Sequence, residues 1–190
     1  DYGPGYKFGI RDNYKFYLQA GSLKNLGRMI GDSIKFWHEM MQHPNYDRWW
    51  KERNARNALF NIKPAMLWVG GLFDAEDLWG AWNTYKATAL QSPQTNNKIV
   101  MGPWSHGQWG SDDGGSLGNI RFGANTASWF QQNMEIPFFN YYLKGKGSVD
   151  AIAKANIFFT GENNWKKFDQ WPPANIEKRE LYIGFDGKLS

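Results

Sequence analysis

The 190 residues predict an α/β fold, preceded by a helical segment and followed by the start of an all-β region. Three observations lead there. Two short apolar runs, AMLWV at 65–69 and KIVMG at 98–102, flank a stretch of helical periodicity, which is the pattern of a βαβ unit. Before Pro64 the apolar residues recur at helical spacing. Beyond the segment GKGSVD at 145–150 they alternate or run in short blocks between turn signals, as strands do.

The opening 22 residues are aromatic and rich in glycine, with room for a short helix around 14–19. A stronger helix follows. Asp32 or Ser33 can cap it, and Ile34, Trp37, Met40 and Met41 share a face. His43-Pro44 closes it, since the residue before proline avoids the α region. Asp47 can cap a second helix through Trp49, Trp50 and Arg53. The run at 65–69 ends in Gly70-Gly71 and fits a buried parallel strand. A helix is expected over 76–90, with Leu78, Trp79, Trp82, Tyr85 and Ala89 on its inner side. Strand 98–102 completes the unit, expected to be right-handed. After a Gly/Ser/Asp loop at 107–118 a further helix spans about 125–143, and Pro137 should kink or divide it. The segments are therefore 1–58, helical; 59–146, α/β; and 150–190, where NIFFTG and RELYIGFDG open a separate β domain.

Composition removes several function classes. Apolar residues make up 42% and charged residues 21%, so the chain is globular material rather than a disordered tail. With no cysteine, it holds no structural disulfide, thiolate nucleophile or Cys-based zinc site. The net charge of +4 is thinly spread, and Lys144 to Lys146 reads as a solvated turn, so nucleic acid is not an expected partner. No apolar run approaches membrane-spanning length. The first residue is Asp1 rather than Met, which suggests a piece of a longer parent. The loop SDDGG lacks the ligand spacing of an EF-hand, and His38 and His43 are not four apart as in H-E-x-x-H; no metal or organic cofactor is expected.

Chemistry collects at the carboxyl ends of strands in open α/β sheets. Both expected strand ends carry ionisable residues: Asp74, Glu76 and Asp77 after the first, and His106 after the second. One crossover brings these loops side by side. An Asp behind a His fixes the imidazole tautomer and stabilises the imidazolium that forms when His takes a proton from a nucleophile. Asp before His also matches the chain order of α/β-hydrolases. Each residue has a plainer use as well. Asp74 can form a turn, Glu76 and Asp77 can face a helix dipole, and His106 can be a hydrogen-bonded structural residue.

The strings GLFDAEDLWGAW and IVMGPWSHGQW resemble the matching region of the serine hydrolase family of α-amino acid ester hydrolases, glutaryl-7-aminocephalosporanic acid acylases and cocaine esterase, related to X-Pro dipeptidyl-peptidases. HPNYDRWW is similar to that family's helical cap, IPFFNYYLKGKG to the last helix of its catalytic domain, and TGENNWKKFDQWPP to the start of its jelly-roll domain. The resemblance implies the C-terminal part of an α/β-hydrolase domain with a helical cap segment, followed by the beginning of a β jelly roll. It puts Asp74 and His106 at the triad acid and base. It puts Glu76 and Asp77 at carboxylates that hold a substrate's α-ammonium, an arrangement that disfavours a carboxylate in the same place. Trp104, Trp109 and Trp79 could wall the acyl pocket, with core packing as the other use for Trp79.

The family nucleophile lies in a G-x-S-Y-x-G elbow, and no such string occurs here; Ser22 and Ser105 sit in unsuitable contexts. The resemblance therefore implies a parent enzyme that cleaves or transfers acyl groups of esters or amides through an acyl-serine, with the serine in the remainder of the parent chain and this segment inactive by itself. It also implies a secreted or periplasmic, homo-oligomeric parent. Two alternatives stand beside it: the same family acting on plain esters or X-Pro peptides, and a non-catalytic binding or structural module with aromatics that stack on a sugar or peptide.

Overall fold

The computed structural model describes residues 9–185 and 187–188; the aromatic opening at 1–8 and Asp186 of the closing GFDG run lie outside the described residues. The chain divides into two compact units, Asp1–Ala55 and Arg56–Ser190.

The first unit is helical. Asp12 caps α1 (Asn13–Ala20) by accepting the Lys15 N–H at 3.0 Å, and Gly21, with φ 70°, ends it in a backbone region that side chains disfavour. α2 (Leu23–Ile30) follows, and Phe16, Ala20 and Leu26 make a small core against which Trp37 packs. α3 (Lys35–Gln42) differs from expectation at its start. Its N-cap is Ile34, without a side-chain bond, because residues 31–33 form a 3₁₀ turn in which the Ser33 hydroxyl donates back to the Ile30 carbonyl at 2.7 Å. Asp47 does cap α4 (Arg48–Glu52), accepting from the N–H groups of Trp49 and Trp50. Its other oxygen lies 2.6 Å from His43 Nδ1, so His43 takes part in the cap.

The second unit is a mixed sheet with helices on both faces. β1 (Met66–Gly71) leads into α5 (Leu78–Gln91) and returns as β2 (Asn97–Gly102), parallel to β1 and in register from Met66↔Asn97 to Gly71↔Gly102. After β2 come the short helix α6 (Gln108–Ser111) and a small hairpin, β3 (Ser116–Leu117) with β4 (Ile120–Arg121). α7 (Thr126–Phe130) and α8 (Ile136–Lys144) are joined by a π-helical turn at Gln131–Glu135. The Ile136 N–H bonds to the Gln131 carbonyl, five residues back. Pro137, at the start of α8, has no N–H and crowds the carbonyl four residues before it. The helix absorbs this as one wide turn rather than a break.

Alternation along the strands builds two cores. Val100 of β2 points to one face, with Ala127, Phe130, Met134 and Phe138 from the α7–α8 helix. Ile99 and Met101 point to the other, with Ala81 and Tyr85 of α5.

The expectation of a separate β domain from residue 150 is corrected here. β5 (Ala155–Phe159) lies parallel to β2, and β6 (Asn164–Phe168) lies antiparallel to β5, giving one sheet of order β1-β2-β5-β6. Residues 155–158 are buried in succession, which is the signature of a strand covered on both faces rather than of a sandwich strand with one wet side. The run at 179–185 forms no regular strand among the described residues, so no jelly roll is seen. No helix among the described residues is long and apolar enough to cross a membrane.

Replacing Phe130, fully buried between helix and sheet, by Ala should cost about 3–5 kcal/mol of unfolding free energy in denaturant titration. The same change at Phe139, 49% exposed on α8, should cost less than about 0.5 kcal/mol. Equal losses at the two positions would contradict this packing.

Candidate active site

The two strand-end loops are held together by their backbones. The Leu72 N–H donates to the Gly102 carbonyl at 2.8 Å, and the Phe73 N–H to the Trp104 carbonyl at 3.1 Å. This approach needs glycine at position 71, where a Cβ would stand 2.1 Å from the Trp104 carbonyl oxygen. Trp104 anchors the second loop. Its indole is fully buried in the core with Phe130 and Trp165, and its N–H donates to the Thr126 hydroxyl at 2.8 Å. Thr126 in turn donates to the Gly114 carbonyl. Trp104 is therefore a loop anchor and not a wall of a substrate pocket, a correction to the sequence-based expectation. A ring with no exposed surface has nothing left to offer a ligand. Trp109 is half-buried and packs on the same core.

The first loop turns at Asp74. Oδ1 accepts the N–H of Glu76 at 2.8 Å and of Asp77 at 2.9 Å, and this turn delays α5 until Leu78. Oδ2 lies 2.9 Å from His106 Nδ1. The Asp74 side chain is 2% exposed and that of His106 is 55% exposed. Burial pushes the Asp74 carboxyl up, but the two backbone donors and the His106 ring outweigh it and hold the group below the usual carboxylate range. His106 is shifted the other way, above an ordinary histidine, first by its hydrogen bond to Asp74, then by the charges of Asp74 and Glu76. With Asp74 as acceptor at Nδ1, Nε2 is the ring nitrogen left for another partner. A base in that state can take a proton and give it back.

Glu76 is the second carboxylate near the ring, with Oε2 3.7 Å from His106 Nε2. Asp77 is exposed and lies back over Gly80, where a Cβ would meet its Oδ1 at 1.9 Å. An open groove of about 710 Å³ begins at Asp74, Ala75 and Glu76 and continues along Trp79, Trp82 and Trp171. Trp79 belongs to this groove and not to the core. It is 62% exposed, with the Arg56 guanidinium 4.3 Å from its ring centre.

Gln108 has a role that the sequence does not announce. Buried behind His106, its Oε1 accepts the Ser105 N–H at 3.0 Å, while its Nε2 donates to Asp112 at 3.1 Å and to the Ser116 carbonyl at 2.9 Å. Its position two residues past the histidine is the one available hint. Gly107, with φ 72°, makes the reversal between the two side chains. The carboxylates of Asp112 and Asp113 accept the N–H groups of Gly114 and Gly115 and so serve the loop's own turns.

A profile of the X-Pro dipeptidyl-peptidase (S15) family matches residues 11–108. Cocaine esterase from Rhodococcus sp. (strain MB1 Bresler) is 26% identical over 167 residues, 85% of this chain and 27% of that protein. The crystal structure of an aminopeptidase from a marine sediment archaeon, Thaumarchaeota archaeon, superposes with a TM-score of 0.88 at 37% identity, covering 98% of this chain and 31% of that one. A selenomethionine-labelled α-amino acid ester hydrolase superposes with a TM-score of 0.87 at 33% identity, covering 98% and 32%. The chain thus spans between 27% and 32% of the length of these relatives.

Asp74→Asn removes the negative charge at Nδ1, so His106 should lose its proton at lower pH than in the wild type, read from the imidazole C–H shifts by NMR. An unchanged titration would show that the contact carries no electrostatic weight. Because the His106 value is raised on folding, its stabilising contribution is full below the unfolded value near 6.5 and fades as pH rises through the folded one. Asp74→Asn should therefore reduce thermal stability more at pH 6 than at pH 9.

Proposed function

Because this chain belongs to the X-Pro dipeptidyl-peptidase (S15) family, we propose that it is the acid- and base-bearing part of a serine hydrolase that cleaves or transfers acyl groups of esters or amides. His106 is the general base that takes the proton of a nucleophilic serine and the general acid that returns it to the leaving group. Asp74 orients the imidazole and stabilises the imidazolium. The nucleophile and the oxyanion donors belong to the part of the parent that this chain does not cover. The observation that carries the reading is the 2.9 Å contact between a buried, doubly N–H-bonded Asp74 and an exposed His106 at the ends of adjacent parallel strands.

The substrates we propose are α-amino acid esters or amides, including β-lactam side chains. Glu76 and Asp77 supply negative charge for the α-ammonium beside the scissile acyl carbon. Glu76, the nearer to Nε2, carries more of this role than Asp77, which lies over Gly80. The same cation recognition would suit the free amino terminus of a peptide, a reading favoured by the likeness to an aminopeptidase. An aromatic-lined groove next to Glu76 gives room for a bulky acyl side chain.

In the full-length parent, His106→Ala should lower ester hydrolysis by roughly 10³-fold or more while leaving the circular dichroism spectrum intact. Near-wild-type turnover would reject the triad. Phenylglycine methyl ester should be hydrolysed faster than its desamino analogue, and Glu76→Gln should narrow the ratio of their kcat/KM values; a ratio near one in the wild type would reject the ammonium site.

A further inference from the structure

Imidazole rings that act as bases are ordinarily flanked by one carboxylate. The ring of His106 lies between two. Asp74 Oδ2 is 2.9 Å from Nδ1, and Glu76 Oε2 is 3.7 Å from Nε2. The two acids are held very differently. Asp74 is buried and fixed by two N–H donors, so it cannot leave. Glu76 has a side chain that is 76% exposed, and among the described residues its carboxylate has no other hydrogen-bond or ion-pair partner. Nε2 is the nitrogen that must be unprotonated to accept a serine proton. A negative charge 3.7 Å from Nε2 favours the protonated form there, the imidazolium. In the free enzyme Glu76 thus favours the protonated, unreactive form of the base.

We propose that Glu76 is a counter-ion of His106 that a cationic substrate displaces. It faces Nε2 when the site is empty, and it turns to the α-ammonium of an amino ester or peptide when one binds, so that His106 releases its proton to solvent and becomes the base. This rests on the hydrolase reading given above and adds to it a coupling between substrate charge and catalytic readiness. Other charges near the ring do not supply the same device. Among the described residues those acting on it are Asp74, Glu76 and, more weakly, Asp77, all acidic, while its own loop contributes the neutral Ser105 and Gln108. Arriving positive charge is the one change that would relieve this excess. A neutral ester would leave Glu76 in place and meet a base that stays protonated to higher pH.

The test is a pair of pH profiles on the full-length enzyme, with phenylglycine methyl ester and with methyl phenylacetate. The acid limb of kcat/KM reports His106 in the free enzyme, and that of kcat reports it with substrate bound. For the amino ester, the kcat limb should lie at lower pH than the kcat/KM limb. For methyl phenylacetate the two limbs should coincide. Glu76→Gln should bring the two limbs together for the amino ester and move the kcat/KM limb down for both substrates; Glu76→Asp should restore part of the separation. Coincident limbs for the amino ester in the wild type, in an enzyme that His106→Ala inactivates, would overturn the counter-ion role and leave the triad standing. Hydrolysis that survives His106→Ala would overturn both.

Discussion

The carboxylate of Asp74 must stay ionised almost out of water, and much of the second unit is arranged around that demand. Removing a charge from solvent is costly unless donors replace the lost hydration. Two come from its own turn, the N–H groups of Glu76 and Asp77, and the third partner is the His106 ring. The first two require residues 74–77 to wrap tightly, which sets the start of α5 at Leu78. The third requires that the loop after β2 arrive within hydrogen-bond distance. Parallel pairing of β1 and β2, carried to its last residue at Gly71↔Gly102, provides that proximity.

Proximity alone would leave His106 on a loose loop. Trp104 supplies the rigidity. Its backbone carbonyl takes the Phe73 N–H over a glycine that no other residue could replace without displacement, and its indole is locked into the core and onto Thr126. Gln108 secures the other side of the histidine through Ser105, Asp112 and Ser116. The ring is thus exposed while Trp104 and Gln108, two residues away on either side, are buried. Exposure of His106 at a fixed position is what an encounter with a nucleophile from another part of a parent protein would require.

The sheet strands with glycine at their ends and the helix between them are legible in the sequence, because short apolar runs before Gly70-Gly71 and Gly102 have few other uses. The nearness of Asp74 and His106 follows from that topology. Three features are not legible, each for a physical reason. Residues 155–159 resemble the opening of a new domain because a flexible-looking GKGSVD segment precedes them, yet the unbroken burial of 155–158 belongs to the existing sheet. Trp104, two residues before the histidine in sequence, looks like a pocket wall, since nothing local reveals that its indole turns inward toward Thr126, 22 residues away. Asp32 and Ser33 have the right chemistry to cap α3, but a 3₁₀ turn uses their backbone first. In the first two cases tertiary contacts override a sound local preference, and in the third a competing local turn does.

The central claim is that the exposed Nε2 of His106 serves a serine from the rest of the parent. The most direct test is a crystal structure of the full-length parent after reaction with an organophosphonate that labels nucleophilic serines. The account predicts a single labelled serine whose Oγ lies within hydrogen-bond reach of His106 Nε2, roughly 2.6–3.2 Å, with Asp74 still bonded to Nδ1. A label on a serine remote from His106 would contradict it.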